Sequence, residues 1–445
     1  MTAGGPGAPH PPVAFASAVS SARTVRLRLP FAPPLIQKMM AVYIVLLFVV
    51  SANVLDLIGY DYSAIGGSPI TKIHVSTYFI VLMFGVFVVT YPQKGDLARY
   101  YLATKLGSIF FFCASTFAVI NIVVDGRNGF GMYFDTDLHL FLCCMLLPFV
   151  TPDNMDRLER FLHWFFLVNA LLAVVELAIG FNIFPLITYA PDGMTTVEPR
   201  ATAFLSHPLH AATITCVYIV SLLCGAGMAL RSNLRMPMIL LQYAALLAFG
   251  GRTAFLLTGL IMAAMLLWGM FRTAAGMKLS QLGLIVWFSI IPVGIALVAV
   301  LASIGAFDQL LDRFTEDGGS ARSRWLMVPL LLSFNWGDLL WGAQTDYVRS
   351  QIYSFGLEWG VENPFIQMSV FQGVVVASMI MLGVLLLIYE AYRRMTWKAI
   401  FPIAVYFFLC STFGSFAGRF FTFSIFLIVI SALFRRPDTP SNYVS

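Results

Sequence analysis

The sequence has little charge for its length. Aspartate, glutamate, lysine and arginine make up 11% of its 445 residues, whereas roughly a quarter is typical of soluble domains. Hydrophobic residues make up 59%, and the mean hydropathy is +0.83. This composition excludes a soluble protein and indicates an integral membrane protein.

Cysteine is also missing from the predicted loops, which excludes a disulfide framework there. All the cysteines fall inside apolar runs: Cys113, Cys143, Cys144, Cys216, Cys224 and Cys410. None has metal-ligand spacing with a histidine, so we interpret them as small packing residues. Neither a metal nor a cofactor is expected.

What the sequence does contain is a series of apolar runs near the ~20 residues that a membrane-spanning helix needs. They predict an all-α fold, a polytopic transmembrane helical bundle of about twelve spans. The predicted spans lie near 39–58, 73–91, 106–124, 137–151, 160–183, 208–230, 237–250, 253–271, 282–304, 366–389, 399–413 and 419–434. Residues 1–35, rich in Ala, Pro, Gly and Ser, predict a disordered cytoplasmic tail. Residues 36–436 then form a single transmembrane domain, and 437–445 a second cytoplasmic tail.

Lysine and arginine favour one side of the predicted loops. With a cytoplasmic N-terminus, 18 of the 27 basic residues fall in cytoplasmic segments and 9 on the outer side. This bias follows the positive-inside rule and predicts that both termini are cytoplasmic. Residues 305–365 then form one large extracytoplasmic loop between the ninth and tenth spans.

The large loop is the one long polar interval of the sequence. It holds four of the eight tryptophans, Trp325, Trp336, Trp341 and Trp359. It also holds a close basic pair, Arg322 and Arg324, with acidic residues on both sides. Aromatic faces beside charged groups favour a polyhydroxylated ligand, because sugar C–H faces stack on rings while hydroxyls bond to carboxylates.

Three arginines lie at or beside the outer ends of predicted spans, against the orientation bias: Arg200, Arg252 and Arg419. A basic residue costs ~2.5–3.5 kcal/mol at the bilayer centre and less near the interface, and a bound anion would offset that cost. Guanidinium groups bind phosphate oxygens bidentately and keep their charge. Each arginine alone is equally consistent with snorkelling to lipid headgroups, but several on one side favour a shared diphosphate site.

The segment from Glu198 to Ala212 carries the first candidate chemistry. It contains Arg200, His207 and His210, and Pro208 marks a helix entry. Free N–H groups and the positive dipole end at such an entry suit phosphate. Either histidine is a candidate proton carrier or hydrogen-bond donor to a diphosphate. An ordinary interfacial role is the alternative for both.

Two further segments add candidates. Gly250-Gly251-Arg252-Thr253-Ala254 predicts a tight outer hairpin, where glycines allow a close approach to a ligand. At the end of the large loop, Glu362 is a candidate general base for an acceptor hydroxyl, with Glu358 as its rival. A structural ion pair with an arginine is the alternative for Glu362.

The order of these motifs resembles the bacterial O-antigen ligase/polymerase family. The segments that carry the resemblance are Arg-x-x-Ala-Phe-x-x-His-Pro entering a span, Gly-Arg-Thr-Ala in a hairpin, Arg-Ser-Arg-Trp early in a large late outer loop, and Glu-Asn-Pro-Phe-Ile opening the next span. The resemblance runs from about Arg200 to Gly373. A lighter match is the Arg-x10-Gly spacing from Arg349 to Gly360, like that of O-antigen polymerases.

The resemblance implies a metal-independent, inverting membrane glycosyltransferase of the bacterial inner membrane that uses undecaprenyl-diphosphate-linked oligosaccharides. Family ligases carry a histidine before the asparagine that opens the span after the loop. Here Glu362 precedes Asn363, which fits the polymerases of exopolysaccharide and capsule assembly better. A polymerase implies a chain-length regulator as a partner, and no nucleic acid is expected.

The residue-level expectations follow from this resemblance and from the motifs. Arg200 and Arg252 are expected to hold the donor diphosphate, assisted by Arg322 or Arg324. The full set of substrate-binding candidates is Arg200, Arg252, Arg322, Arg324, Arg349, Trp325 and Asn363. The candidate bases are Glu362, Glu358 and His207.

Two groups of polar residues lie inside or at the ends of predicted spans. Glu176 and Asn169 share a face of the fifth span and predict a buried polar pair between helices. Asp135, Asp137 and His139 cluster at the outer end of the fourth span, where they line an acceptor path or mark the interface.

Three alternative functions are also consistent with the sequence. One is a ligase that transfers a finished polysaccharide to another acceptor. Another is a secondary transporter or a lipid-linked oligosaccharide flippase, which would be expected to show an internal repeat and helices broken at mid-membrane. The third is a non-catalytic subunit of a synthesis complex, in which the candidate residues would be freely replaceable.

Overall fold

The computed structural model describes residues 29–63, 70–124, 130–189, 195–276, 320–357, 361–412 and 419–436, together with positions 68, 299 and 303. The regular secondary structure of the described residues is helical, apart from one short hairpin of β1 (Ile187–Tyr189) and β2 (Thr195–Val197). The first helices are α1 (Pro34–Val49), α2 (Ala52–Leu57), α3 (Val75–Thr90), α4 (Lys94–Thr104), α5 (Leu106–Val124), α6 (His139–Leu146), α7 (Pro152–Ile179), α8 (Pro208–Leu223), α9 (Ser232–Phe249) and α10 (Arg252–Ala274). The later ones are α11 (Ser320–Leu332), α12 (Trp336–Trp341), α13 (Thr345–Ser354), α14 (Pro364–Gln372), α15 (Val374–Tyr392), α16 (Ile400–Cys410) and α17 (Thr422–Leu433).

Short departures from α-helix lie next to these helices. A π-helical segment, Tyr133–Leu138, leads into α6 and follows the single turn Phe130–Met132. Turns of 3-10 helix cover Leu147–Phe149, Ala203–Leu205 and Trp397–Ala399. Single-turn π segments inside helices are found frequently at functional sites.

The longest helix, α7, shows why these segments form helices. Thr151 precedes it as the N-cap, with its side chain accepting the N–H of Asn154 at 3.4 Å, and Pro152 takes the first turn. Gly180 ends the helix with φ +64°, the left-handed conformation that glycine adopts without strain. The local sequence therefore sets both ends of α7.

The structure confirms a helical fold that suits a membrane. Three described helices, α7, α10 and α15, are long and apolar enough to cross a bilayer. The pair α4 and α5, bent by 83° at their junction, adds a fourth if it forms one span. Shorter apolar helices cover other predicted spans, while predicted span 282–304 lies outside the described residues except for positions 299 and 303. The count of twelve therefore stays a prediction.

Loops that the sequence predicts on the outer side contact one another at one end of the bundle, here called the outer end. The Asn53 amide donates to the carbonyls of Phe184 and Ser206 at 2.9 and 2.8 Å. Arg419 donates to the carbonyl of Tyr62 at 2.8 Å. These contacts are compatible with the predicted antiparallel arrangement of the intervening spans, which stays a prediction.

Loops predicted on the cytoplasmic side meet at the opposite end, here called the inner end. Arg435 donates to the Pro152 carbonyl at 2.8 Å. The N–H of Thr396 donates to the Phe434 carbonyl, also at 2.8 Å. The predicted assignment of loops to two sides thus agrees with how the described loops group in space, although the orientation in the membrane stays a prediction.

The predicted N-terminal tail begins to pack earlier than expected. Leu29 and Ala32 are buried, and the Ala32 N–H donates to the Phe149 carbonyl at 3.0 Å. Leu29 and Ala32 therefore pack against the bundle, while the boundary of the predicted tail at residue 35 stays a prediction. Residues 1–28 and the tail 437–445 lie outside the described part of the chain.

The described part of the large loop has an apolar core of its own. Its buried members come from α11, α13, α14 and the connections between them: Met327, Leu330, Phe334, Ala343, Val348, Ile352, Leu357, Val361 and Val370. This cluster is separate from the main bundle core. The described part of the segment predicted as the large loop is therefore a small helical unit, while the loop itself stays a prediction.

Candidate functional site

A cavity of about 230 Å³ lies at the outer end of the bundle. Its floor and walls come from the α1–α2 junction, the loop before α3, the segment before α8 and the start of α17. The polar side chains that line it are Ser51, Asn53, Tyr62, Ser63, His74, Ser206, His207, His210, Arg419 and Thr422. Apolar side chains such as Leu47, Phe204 and Phe421 complete the lining.

One wall of the cavity is a turn with unusual backbone geometry. Ala203 and Ser206 have positive φ values of 42° and 63° although neither is a glycine. Such conformations cost about 1–3 kcal/mol each and occur preferentially at functional sites. The turn therefore needs support from its surroundings.

Two buried side chains of α7 supply that support. Glu176 accepts the N–H groups of Thr202 and Ala203, both at 3.0 Å, through one carboxylate oxygen. Its other oxygen accepts the N–H of Ile183 at 2.9 Å. Asn169 accepts the N–H of Phe204 at 3.0 Å. Glu176 and Asn169 thus bind one backbone turn, which refines the prediction of a buried polar pair between helices.

The α1–α2 junction fastens the other side of the same turn. Ser206 receives the Ala52 N–H on its hydroxyl at 3.1 Å, and its carbonyl accepts the Asn53 amide. Asn53 is buried. The turn is therefore held from both sides, and its geometry does not depend on the turn residues alone.

His207 and His210 stand side by side where this turn enters α8. Their ring centroids are 5.1 Å apart, and the edge-on ring of Phe420 lies 4.0 Å from His210. Nδ1 of His207 accepts the N–H of Leu209 at 3.2 Å, so His207 is also the N-cap of α8. In the neutral ring, this bond leaves the proton on Nε2.

The surroundings of His207 favour that neutral ring. The pKa of His207 is lowered to about 4, chiefly by burial and also by the positive charge of Arg200, while Glu198 acts in the opposite direction. Near neutral pH, His207 is therefore a hydrogen-bond donor through Nε2. This favours the predicted role of hydrogen-bond donor to a diphosphate over that of general base.

Arg200 forms a bidentate ion pair with Glu198. Its Nε and Nη2 atoms lie 2.6 and 2.9 Å from the two carboxylate oxygens. Burial by itself raises the pKa of Glu198, but the guanidinium outweighs it, and the pKa is lowered. The structure thus places Arg200 beside the His207 turn with its planar fork already occupied by a carboxylate.

Arg419 lies in the cavity wall, held by carbonyl oxygens and an aromatic ring. Nη1 donates to the Lys72 carbonyl at 3.1 Å and Nη2 to the Tyr62 carbonyl at 2.8 Å. The guanidinium carbon is 4.0 Å from the centroid of the Tyr62 ring. Carbonyls and a ring fix the position of a guanidinium without neutralising it.

The π-helical segment before α6 anchors two of the cavity walls. Asp135 is buried and accepts from the hydroxyls of Tyr62 and Thr77 at 2.7 Å each, and from the N–H of His74 at 3.1 Å. Thr136 exchanges two hydrogen bonds with the backbone of Phe420, at 3.1 and 3.2 Å. Asp135 thus positions the cavity rather than marking an exposed interface.

The α9–α10 hairpin comes close to the same region. The Ala201 N–H donates to the Ala248 carbonyl at 3.2 Å, which ties the residue after Arg200 to the end of α9. A Cβ on Gly251 would lie 2.4 Å from the Cβ of Ala212, so this position needs glycine. Arg252 follows as the first residue of α10 and is half-buried.

The candidates in the large loop are less completely described. Asn363 is the N-cap of α14, accepting the N–H groups of Phe365 and Ile366 at 3.0 and 3.1 Å. Its amide donates to the Ser411 carbonyl at 3.3 Å, and Glu362 beside it is half-buried. Arg349 is exposed on α13, and Trp325 is 78% exposed on α11.

The remaining loop candidates lie partly or wholly outside the residues that the structure describes. Arg322 and Arg324 belong to the first turns of α11, with their side chains outside the described part, and Glu358 is outside it altogether. The structure therefore brings Arg200, His207 and the backbone near Arg252 together at the outer end. It leaves the loop residues without a described contact to that group.

Several residues at the cavity were not among the predicted site residues. Asn53, Tyr62, His74 and Ser206 come from segments where hydropathy alone gave no functional signal. Arg419 was visible as an outer arginine, and Asp135 as an acid at a span end. Only the packing of distant segments brings these residues into one place.

Comparisons with known proteins identify no relative. Neither a family model, nor a curated protein, nor a solved structure matches this chain. The resemblance to the O-antigen ligase/polymerase family therefore rests on the motifs quoted above. Among the residues that the structure describes, no group of three His, Cys, Asp or Glu side chains is arranged to hold a metal ion.

Proposed function

We propose that this chain is a membrane glycosyltransferase that joins undecaprenyl-diphosphate-linked repeat units into an exopolysaccharide, capsule or O-antigen. The reaction would take place at the outer end of the bundle, on the periplasmic face of the bacterial inner membrane. The observation that carries the proposal is the strained turn from Thr202 to Ser206. It lies inside the motif that carries the resemblance, and it faces a cavity that also contains Arg419 and three histidines.

The charges at this cavity suit an anionic headgroup. The hydrogen bonds described for Arg419 go to carbonyl oxygens, its guanidinium stays charged, and the buried carboxylate of Asp135 interacts with it electrostatically. The Nε2–H of His207 adds a neutral donor. Arg200 can exchange the carboxylate of Glu198 for phosphate oxygens, because a guanidinium binds both in the same bidentate geometry. A diphosphate in this place would offset the cost of bringing cationic groups to a membrane interface.

The size of the cavity fits part of such a donor. A cavity of about 230 Å³ is smaller than the ~300–1,000 Å³ of typical ligand pockets, so it would hold only the polar head of such a donor. The lipid tail and the rest of the glycan would lie outside it. This matches a substrate that enters from the bilayer and from the periplasm, and not one that is enclosed.

The proposed chemistry is a single displacement. The hydroxyl oxygen of the acceptor sugar attacks the anomeric carbon of the donor, and the bond from that carbon to the diphosphate oxygen breaks. Undecaprenyl diphosphate leaves with the electron pair, and the guanidinium groups stabilise its growing charge. The configuration at the anomeric carbon is inverted. The hydroxyl proton passes to a carboxylate, for which Glu362 is the candidate.

A complementation experiment tests this proposal. Cells that lack the native protein would receive wild type, Arg252→Ala, Arg419→Ala or Glu362→Gln, each checked for membrane expression. Arg231→Ala is the matched control, because it removes the same charge from an exposed site at the N-terminal end of α9, at the inner end. We expect wild type and the control to restore long polymer. The other variants should accumulate single lipid-linked repeat units on the periplasmic side.

The alternatives give different outcomes in the same experiment. Long polymer that remains on the lipid carrier, without transfer to its final acceptor, would indicate a ligase. Accumulation of repeat units on the cytoplasmic side would indicate a flippase. Normal polymer in every variant would contradict a catalytic role for this site and favour a non-catalytic subunit.

A further inference from the structure

We propose that α11 and α12 of the large loop rest on the outer lipid leaflet through a continuous apolar face. This inference does not depend on the proposed function. It concerns a surface for which the sequence suggested a different ligand, because its tryptophans favoured sugar stacking. The occupant proposed here is the interfacial layer of the bilayer.

The first part of this face lies on α11. Trp325 is 78% exposed, Val328 52% and Leu332 77%. Their spacing of three and four residues places them on one side of the helix. Met327 and Leu330 on the other side are buried in the core of the loop. The helix is therefore apolar on both sides, and only one side is covered by protein.

The second part of the face lies on α12. Trp336 is 79% exposed and Trp341 67%, and Leu340 between them is 39% exposed. Such an apolar patch is unusual on a surface in water and marks a site of interaction. Tryptophan is enriched at membrane–water interfaces, because its ring is apolar while its N–H bonds to polar groups.

The position of α12 on the bundle puts this face at the level of the membrane surface. A Cβ built on Gly373 would lie 2.3 Å from the Leu340 carbonyl oxygen and 2.6 Å from the Gly342 nitrogen, so α12 ends directly against the start of α15. With 19 residues, α15 is about 28 Å long at 1.5 Å per residue, close to the ~30 Å hydrocarbon layer. If α15 spans that layer, α12 lies at its outer boundary.

The ends and the flank of α15 agree with this placement. Arg393 and Arg394 follow directly after its last residue, as expected for the cytoplasmic boundary. Leu382 and Leu385, 49% and 55% exposed, form an apolar flank suited to lipid.

Helix α13 differs from α11 and α12 in its exposed charge. It exposes Asp346, Arg349 and Ser350 beside Tyr347 and Tyr353, while its buried residues Val348 and Ile352 join the loop core. An amphipathic unit lies in the plane of an interface, with its apolar residues toward the acyl chains and its charges in water. We therefore expect α11 and α12 to contact lipid and the charged residues of α13 to face water.

Spin-label accessibility tests this inference in the full-length protein. A nitroxide would be attached at Val328→Cys or Leu332→Cys in a Cys113→Ser, Cys224→Ser background, which removes the more accessible native thiols. The protein would be reconstituted into nanodiscs of phosphatidylethanolamine and phosphatidylglycerol. Ser350→Cys on α13 is the matched control on the polar side of the same unit.

We expect the α11 labels to be accessible to oxygen, which partitions into lipid, and severalfold less accessible to a water-soluble nickel complex than the Ser350 label. Equal nickel accessibility at Leu332 and Ser350 would overturn the inference. So would protection at Leu332 that appears only after a purified glycan is added, since the occupant would then be carbohydrate.

A second measurement covers the case in which a cysteine variant fails to fold. Brominated lipids quench tryptophans that contact acyl chains, and Trp336→Phe should remove part of that quenching from otherwise native protein. Quenching that does not change in Trp336→Phe and Trp341→Phe would also overturn the inference.

Discussion

At the outer end of the bundle, buried polar side chains hold the backbone of neighbouring segments, whereas the large loop is held by an apolar core. Glu176, Asn169 and Asp135 accept backbone or hydroxyl hydrogen bonds from segments remote in sequence. The core of the loop consists of apolar residues such as Val348 and Leu330. The large loop is the more charged of the two regions, yet the outer end of the bundle has the more elaborate network of buried hydrogen bonds.

The physical reason lies in the cost of burial. A buried polar group needs a hydrogen-bond partner, and removing the partner costs about 1–3 kcal/mol for each group left unsatisfied. The polar residues of the outer end therefore determine geometry strongly although they are few. The charges exposed on the loop, such as Arg349, are solvated and impose little geometry.

The largest expected effect comes from Asp135→Ala. The change leaves three buried donors without their acceptor, those of Tyr62, Thr77 and His74. At about 1–3 kcal/mol for each donor, the loss is a large part of a typical unfolding free energy of ~5–15 kcal/mol. We expect a strong fall in the thermal unfolding temperature in detergent.

Asp56→Ala is the control for this variant, because Asp56 accepts one N–H, that of Ser63 at 2.9 Å, and is half-buried. A similar unfolding temperature for the two variants would mean that the Asp135 network does not carry the stability of the outer end.

The next effect contrasts two glycines, Gly373 directly before α15 and Gly356 in the large loop. In Gly373→Ala, the new Cβ meets backbone atoms of α12 and also sits at φ +86°. In Gly356→Ala, φ is +67° but nothing lies within 4 Å of the new Cβ. Left-handed backbone alone costs about 1–2 kcal/mol, so Gly373→Ala should be destabilised more, with α12 displaced from α15.

Limited proteolysis of the loop in membranes measures the difference between the two glycine variants. Equal cleavage rates would show that the contact between α12 and the start of α15 is not needed to hold the loop.

A smaller effect on stability, with a clear effect on activity, is expected for Glu176→Gln. The amide keeps one acceptor oxygen of the two that bind Ile183, Thr202 and Ala203. Losing charge-assisted bonds costs roughly 1.5–3 kcal/mol, and the strained turn before His207 should relax. Polymer formation should fall more than tenfold, with Glu176→Asp retaining part of the activity.

Glu159→Gln is the matched control for Glu176→Gln. Glu159 is also buried and accepts a backbone N–H, that of Ala229 at 2.7 Å, but at the inner end. Its activity should stay near wild type at a comparable loss of stability. Equal activity losses in the two variants would reduce Glu176 to a general structural role.

The smallest expected effect is a pH dependence from His207. Its pKa is lowered to about 4 by burial, below the ~6.5 of an unfolded histidine. The unfolded state therefore binds more protons between these values, so stability rises with pH across this window and falls as pH drops from 6.5 toward 4. Thermal unfolding of wild type and His207→Gln at several pH values checks this.

The His207→Gln variant should lose part of that slope. An identical slope in both proteins would show that His207 is not buried in its neutral form. Asp, Glu and other histidines titrate near the same range, so the difference between the two proteins is the informative quantity.

Some features of the site follow from local sequence rules and could be predicted. The entry of α8 at Pro208, the cap at Asn363 and the turn at Gly250 are set by residues next to one another in the chain. The grouping of Arg200 near the α9–α10 hairpin also agrees with the shared outer side that the charge bias predicted. The detailed partners could not be predicted in the same way.

Other features depend on contacts between distant segments. Asp135 stands in the sequence as an acid at a span end, but its partners are the hydroxyls of Tyr62 and Thr77, from segments far from it in the sequence. Glu176 reads as an acid that needs a partner inside a helix, but its partners are backbone amides after the helix ends. Hydropathy contains no information on these choices, because they depend on which loops meet at the outer end.

The sequence by itself determined the class of the protein. Low charge and long apolar runs leave a helical membrane protein as the outcome, because backbone groups in a bilayer must bond within the helix. The tertiary structure decided where the cavity lies and which side chains line it. Asn53 donates a hydrogen bond to Ser206, more than a hundred residues away in the sequence. Asp135 accepts one from Tyr62, and Glu176 accepts one from Ala203, which folds one segment back on another. Such bonds form only after the helices have packed, since their energy depends on burial that no single segment provides.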